Sequence, residues 1–413
     1  MISYFHDLGE AIEREWRRRS YDEEVFPRLA SEALERDPPI RSVGPAEIVD
    51  WIFGPAQAFC QPDHRELFGE PPVMVFQAPR FYIEALFWLS GTTSIHQHSF
   101  SGVFAVLAGS SVHSHWRFVP ERTINSRMLC GRLERVATEI LHPGGMRAIR
   151  PGDRLIHQLF HLELPSVTIV VRTYGDPRHQ PQYSYLPPGL AIAPEEHDPL
   201  RVRRLMFLDG MARSYLDGLQ QHARRLIEGG DLETLFHMFS LLTRRKVDPG
   251  LLDELYGCAR RRHGDVVDLF QEVCEGQRRT RIVTLLRTKV TDPEARFLLA
   301  LLMLMPDRDA ILETIRMQFP GDEPLAAIER WVAGMSGKET IGFEFDDVNR
   351  LIFRGLVEGL DTEGLLRRLR DEFQGDSVDA HRERLLEHAR QLAKSDLFHS
   401  LLTRSPLQVA RVA

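Results

Sequence analysis

The chain has 413 residues, of which 43% are hydrophobic and 27% charged, a composition typical of a folded protein with two or three domains. Its 52 basic and 59 acidic side chains give a net charge of −7, which argues against nucleic acid as a partner. The only lysines are Lys246, Lys289, Lys338 and Lys394. A phosphate-loop lysine and a Schiff-base lysine are therefore excluded from the first half of the chain.

The cysteines and the apolar segments indicate the cellular compartment of the protein. Four cysteines stand at irregular spacings without a C-x-x-C pair, which favours a reducing compartment over a disulfide framework or zinc ribbon. The first twenty residues carry charges where a signal peptide needs an apolar stretch. The longest apolar run, Phe297–Met305, is too short to cross a membrane. We expect a cytoplasmic protein without a membrane partner.

The N-terminal segment, residues 1–75, has the pattern of helices. The sequence predicts them near 6–19, 22–36 and 45–53, the last opened by Pro45. We expect this segment to pack on the domain that follows it.

Residues 76–190 change character, because short β-branched and aromatic runs are broken there by turn residues. Examples are FYIEALFWL, VFAVLAG and VTIVVRTY. Many short strands at such spacing predict a sandwich or a barrel. The proline-rich stretch Tyr185–Pro199 is interpreted as a linker or strap.

The remaining residues, 200–413, are helical in pattern almost throughout. Two similar fragments, LLTRRKVDP (241–249) and LLRTKVTDP (285–293), stand 44 residues apart, so the segment is either a helical bundle or a set of helical repeats. Its expected role is to cover the mouth of the barrel, to form a homodimer or to bind a partner protein.

Histidines are concentrated in the β segment, where seven of the 17 lie between residues 96 and 161. Side chains two residues apart on a strand share a face, so His96 lies beside His98, and His113 beside His115. His157 and His161 share a face if their strand is unbroken. Imidazoles gathered inside a barrel need partners, and one divalent metal ion serves several of them at once.

Two stretches around these histidines resemble the cupin motifs. The first is GTTSIHQHSFSG (91–102), followed after six residues by Gly109, and the second is GMRAIRPGDRLIHQLFH (145–161). This resemblance implies a double-stranded β-helix, so the predicted fold class is α+β: a cupin β-barrel with N-terminal helices and a large all-α C-terminal domain. It also implies His96, His98 and His157 as metal ligands.

The sequence departs from the cupin pattern at three places. Gly102 occupies the position of the usual glutamate ligand, Asp153 replaces a glycine, and His161 replaces the final asparagine. In lacking this glutamate the sequence is similar to the cysteine dioxygenase branch, whose members bind iron with three histidines. No cysteine stands at that glutamate position either, so the cysteine–tyrosine crosslink of those enzymes cannot form there. Cysteine itself is therefore a poor candidate for the substrate. The acids Glu84, Asp153 and Glu163, which are the nearest replacements, are expected to be exposed.

Three imidazoles leave coordination positions free for a substrate and dioxygen, and Fe(II) is the metal that we expect. Zinc, manganese, nickel and copper also suit imidazole ligands, so the metal stays open. A second metal ion would need His113 or His115, with His161, turned inward. We expect His113 and His115 instead to lie on the outer face of a polar strand.

The resulting prediction is a non-haem Fe(II) dioxygenase or oxygenase that acts on a small polar or anionic metabolite. His161 assists as a fourth ligand, a hydrogen-bond partner or a general base, and Arg172 holds an acidic group of the substrate. Two alternatives stay open: a metal-dependent isomerase, lyase or hydrolase, and a non-catalytic sensor whose helical part binds a protein.

Overall fold

A computed structural model describes residues 2–54, 61, 68–89, 92–193, 198–213, 217–335, 341–373 and 375–402. Gly91, where the first motif begins, and Cys60 lie outside the described residues. The chain forms two compact units, Met1–Arg278 and Arg279–Ala413.

Among the described residues, three α-helices precede the first strand, as predicted. They are α1 (Ile2–Arg18), α2 (Phe26–Arg36) and α3 (Pro45–Ile52). The second begins four residues later than predicted, because Ser20 and Tyr21 adopt positive φ angles that turn the chain after α1.

The apolar sides of α1 and α2 pack on a β-sheet. Trp16 and Phe26 lie in one buried cluster with Phe81, Ile83 and Val171 from the strands. Helices this short gain most of their stability from such tertiary packing.

The described residues form eleven strands, and all their pairings are antiparallel. The strands are β1 (Pro72–Gln77), β2 (Phe81–Trp88), β3 (Ile95–His98), β4 (Gly102–Ala108), β5 (Ser111–Asn125), β6 (Met128–Leu141), β7 (Met146–Ile149), β8 (Gly152–His161), β9 (Ser166–Thr173), β10 (Ser184–Leu186) and β11 (Leu190–Ile192). One sheet has the order β1-β2-β9-β4-β7, and the other closes on itself in the order β10-β11-β6-β5-β8-β3.

The two sheets share an apolar core. Leu86, Phe104 and Val170 of the first sheet pack with Leu155 and Leu159 of the second. The predicted class is confirmed: the fold is α+β, with a cupin-like barrel between N-terminal helices and a large helical C-terminal region.

The interpretation of Tyr185–Pro199 as a linker was wrong for its first half. Strands β10 and β11 form a hairpin that pairs with β3 on one side and β6 on the other, which closes the ring. Each strand has three residues, too few for alternation to be visible in the sequence, and Pro187 and Pro188 lie in the turn between them.

Helices make up the rest of the described chain. In the first unit, Leu208 and Phe239 pack with Met128 and Leu190 of the barrel. No helix of the described residues is long and apolar enough to cross a membrane. The helices are Pro199–Ala212, Leu219–Gly229, Leu232–Arg245, Pro249–His263, Val266–Arg287, Pro293–Leu304, Arg308–Gln318, Pro324–Gly334, Asp347–Glu358, Thr362–Glu372, Gly375–Ala380, Arg382–Ala393 and His399–Leu402.

A buried carboxylate joins the barrel to the adjacent helices. Glu233, 1% exposed, pairs with Arg127 of the β5–β6 turn at 3.1 Å and with Arg201 at 2.8 Å. Glu233→Ala is expected to lower the free energy of unfolding by about 3–5 kcal/mol, because two largely buried guanidinium groups lose their shared carboxylate. Urea unfolding measures the change. Glu254→Ala, which removes an exposed partner of Arg224, is the control and should cost less than about 1 kcal/mol.

Candidate metal centre

Strand register brings distant histidines together. His157 on β8 lies opposite His96 of β3 on one side and opposite His115 of β5 on the other. Residues directly opposite in antiparallel strands point to the same face of a sheet, so these side chains all point inward. The pairing register of β3 against β8 shifts between His96 and His98.

The three predicted ligands lie side by side. One ring nitrogen from each of His96, His98 and His157 lies within 4.8 Å of the others, and all three side chains are buried. The Nε2 atoms of His98 and His157 are 2.8 Å apart. Such separations suit nitrogens that share a metal ion at about 2.0–2.1 Å from each.

The protonation of His96 also fits a metal ion. Its Nδ1 lies 2.7 Å from the carbonyl oxygen of Ser94, which only accepts, so Nδ1 carries the proton. Its Nε2 therefore presents a lone pair, and within the described part of the chain this buried atom has no hydrogen-bond partner. A bound cation would satisfy it.

Burial keeps the three imidazoles neutral. It lowers the pKa of His96 to about 4 and the pKa values of His98 and His157 well below the ordinary value. Neutral imidazole is the form that binds metal, so the ligands need not release protons at neutral pH.

A second group lies beside the first. His113 Nδ1 is 3.0 Å from Glu139 Oε1, and His115 Nε2 is 3.2 Å from His113 Nδ1. The expectation that His113 and His115 lie on an outer face was wrong: His113 is fully buried, and its Nε2 is 2.9 Å from Nδ1 of His157. The strand alternates as expected, but its histidine face is the inner one.

A small cavity adjoins the three ligands, with a volume of about 40 Å³. Apolar side chains form most of its wall, including Phe100 and Phe104. Arg172 also lines it; its guanidinium lies 3.4 Å from the Phe100 ring centre and pairs with Glu84 at 3.5 Å.

The expectation that the nearby acids are exposed holds for Asp153 only. Glu84 is buried in the cavity wall, and this burial raises the pKa of its carboxyl despite the opposing effect of Arg172. Glu163 is half-buried and accepts a hydrogen bond from the Ser110 hydroxyl at 2.7 Å.

The absence of the usual glutamate at position 102 has a steric reason. A Cβ atom on Gly102 would overlap the carbonyl oxygen of Val171 and come within 3.0 Å of the Arg172 Cα. Strand β4 approaches β9 too closely there for any side chain.

His161 lies apart from the ligand group. Its Nδ1 is 2.8 Å from the Ser111 hydroxyl, and its ring stacks on Trp88 at 4.7 Å between centroids. Trp88 donates a hydrogen bond to Thr168 at 3.0 Å. The Trp88 side chain lines the cavity and lies between it and His161. The assisting role of His161 stays a prediction.

Sequence reasoning missed Glu139 and expected Glu84 to be exposed, although both residues carried a signal. Glu139 lies at strand period between Ala137 and Leu141, so the buried Leu141 marks its face as inward. Glu84 is the single acid in the apolar run of β2. A lone carboxylate on the buried face of a strand indicates a site or an ion pair.

Comparisons with known proteins leave the family open. No protein-family model matches the chain, and no curated protein matches its sequence. Among solved structures, hydroquinone 1,2-dioxygenase from Sphingomonas sp. TTNP3, with 4-hydroxybenzoate bound, matches at 11% identity and a TM-score of 0.21. The match covers 27% of this chain and 71% of that protein. A likeness this distant establishes neither a reaction nor a substrate for the present chain.

Proposed function

We propose that the chain is a metal-dependent cupin in which His96, His98 and His157 hold one divalent cation. The observation that carries the proposal is the convergence of three buried, neutral imidazoles, one of them with an Nε2 lone pair that no described residue uses. A buried polar atom of this kind is costly unless something binds it.

The proposed reaction is an oxygenation, with Fe(II) as the metal and dioxygen and a small polar or anionic metabolite as partners. Fe(II) held by three imidazoles would supply open coordination positions for both reactants. The apolar wall around Phe100 and Phe104 keeps bulk water from the ligands, which strengthens electrostatic contacts inside the cavity. Arg172 would bind an acidic group of the substrate.

The test begins with protein purified anaerobically. We expect about one iron per chain by mass spectrometry, and oxygen uptake by an electrode when a panel of small carboxylic and phenolic acids is supplied. Protein that binds no iron, zinc or manganese after reconstitution contradicts the proposal. Bound metal without oxygen uptake contradicts its oxygenase part.

The role of Arg172 gives a separate prediction. Because replacing it alone would leave Glu84 unpaired, the test is the double variant Glu84→Gln with Arg172→Gln. This variant is expected to keep its metal, since neither residue is a ligand, and to lose the preference for acidic over neutral compounds in the oxygen-uptake panel. Glu84→Gln alone is the control and should keep that preference. Loss of metal from the double variant would contradict the assignment.

The small volume of the cavity favours a second candidate, a non-catalytic barrel that senses the metal. About 40 Å³ holds only a few waters, so a larger substrate requires the wall to move. Nitric oxide distinguishes the two functions, because it binds Fe(II) only at an open coordination position. A nitrosyl spectrum favours the oxygenase, and its absence in iron-loaded protein favours the sensor.

A further inference from the structure

Hydrogen bonds run from a half-exposed arginine to a predicted metal ligand. Arg147 Nε donates to Glu139 Oε1 at 2.8 Å, and the same oxygen lies 3.0 Å from His113 Nδ1. His113 Nε2 then lies 2.9 Å from His157 Nδ1. His113 is fully buried, so few other partners reach it.

The chemistry of each member sets the position of each proton. Burial raises the pKa of Glu139, but hydrogen bonds from Arg147 and His113 outweigh it and lower this pKa to about 2, so the carboxylate only accepts. His113 Nδ1 is therefore the donor to Glu139, which leaves a lone pair on His113 Nε2. That nitrogen accepts a hydrogen bond from His157 Nδ1. The lone pair of the His157 ring is therefore on Nε2, which faces His98.

We propose that Glu139 and His113 are positioning residues, which fix the ring orientation and the tautomer of His157 so that its Nε2 is presented to the metal ion. This inference rests on the proposed metal function. Partners of this kind raise the basicity of a ligating imidazole and hold its ring in place.

The same residues offer a competing function, a second metal ion between His113, His115 and Glu139, whose ligand atoms lie within 4.8 Å of one another. Proton positions oppose filling both sites at once. A metal ion on His113 Nδ1 would move the proton of that ring to Nε2, where it would face the Nδ1 proton of His157 across 2.9 Å. One imidazole would have to lose a further proton. We therefore infer one metal ion per chain.

The test is titration of the metal-free full chain with Co(II), followed by calorimetry and by the absorption spectrum of the bound ion. Wild type is expected to bind one Co(II). His113→Leu, which removes the acceptor of His157, is expected to bind one Co(II) about 10–100-fold more weakly and with an altered spectrum. His113→Gln, whose amide oxygen accepts a hydrogen bond, should recover part of the affinity.

His115→Leu is the matched control, because His115 belongs to the competing metal group and contacts the series at His113 Nδ1, which Glu139 still engages without it. Its Co(II) affinity should equal that of wild type. Two Co(II) per wild-type chain, reduced to one by His115→Leu, would overturn the proposal in favour of a second metal site. Unchanged affinity and spectrum in a folded His113→Leu would overturn it as well. Wild type that binds no Co(II) would refute the proposed function itself, and the positioning role with it.

Discussion

His157→Ala is expected to abolish metal binding. The variant loses the ligand that lies opposite His96, adjoins His98 and donates a hydrogen bond to His113. With metal at about 100 times its dissociation constant, wild type should gain about 2.7 kcal/mol of stability from the bound ion, and the variant should gain none. Metal content by mass spectrometry and unfolding with and without added metal measure both effects.

The control for this prediction is His142→Ala. His142 is an exposed residue at the turn between β6 and β7 and has no place in either histidine group. Its metal content and its metal-dependent stability should match those of wild type. If His157→Ala still carried one metal ion and His113→Ala carried none, the metal would belong to the second group, which contains His113.

Gly102→Glu is expected to be the most destabilising single change in the barrel, although it restores the residue that the cupin motif usually has. Its Cβ would overlap the backbone of β9 at Val171, and its carboxylate would enter a buried region. Overpacking and the burial of a charge both destabilise the fold, so we expect the free energy of unfolding to fall by at least about 3 kcal/mol. The urea midpoint of the barrel unit measures it.

Gly229→Glu is the matched control for the same substitution. Among the described residues, nothing beyond its own helix lies within 4 Å of a Cβ on Gly229, an exposed residue at the end of a helix. The substitution should therefore cost less than about 1 kcal/mol of unfolding free energy. Stable Gly102→Glu protein with tighter metal binding would show that β4 and β9 separate to admit a fourth ligand.

Local periodicity explains why the sequence predicted part of the site. His96 and His98 share a face because strand side chains alternate, a property that depends on no other strand. The same alternation placed His113 beside His115, and the ring centroids are 4.3 Å apart. It did not say which of the two faces is inward, and the expectation for that pair was therefore wrong.

Long-range contacts explain the rest. Glu139 reaches His113 because β6 pairs with β5 in one register, and a slip of one residue would turn it outward. His161 shares the face of His157, as predicted, but the Trp88 ring occupies the space between it and the cavity. No spacing within β8 contains that information.

Composition and patterns within single strands were enough to predict the α+β class, and the resemblance to the cupin motifs predicted the barrel and the grouping of His96, His98 and His157. Strand pairing, which no single segment specifies, brings His113 to His157 and Glu139 to His113, buries Glu84 and leaves no space for a side chain at Gly102. These features depend on which strands pair and in which register, and the pairing minimises the free energy of the whole barrel rather than of any one segment.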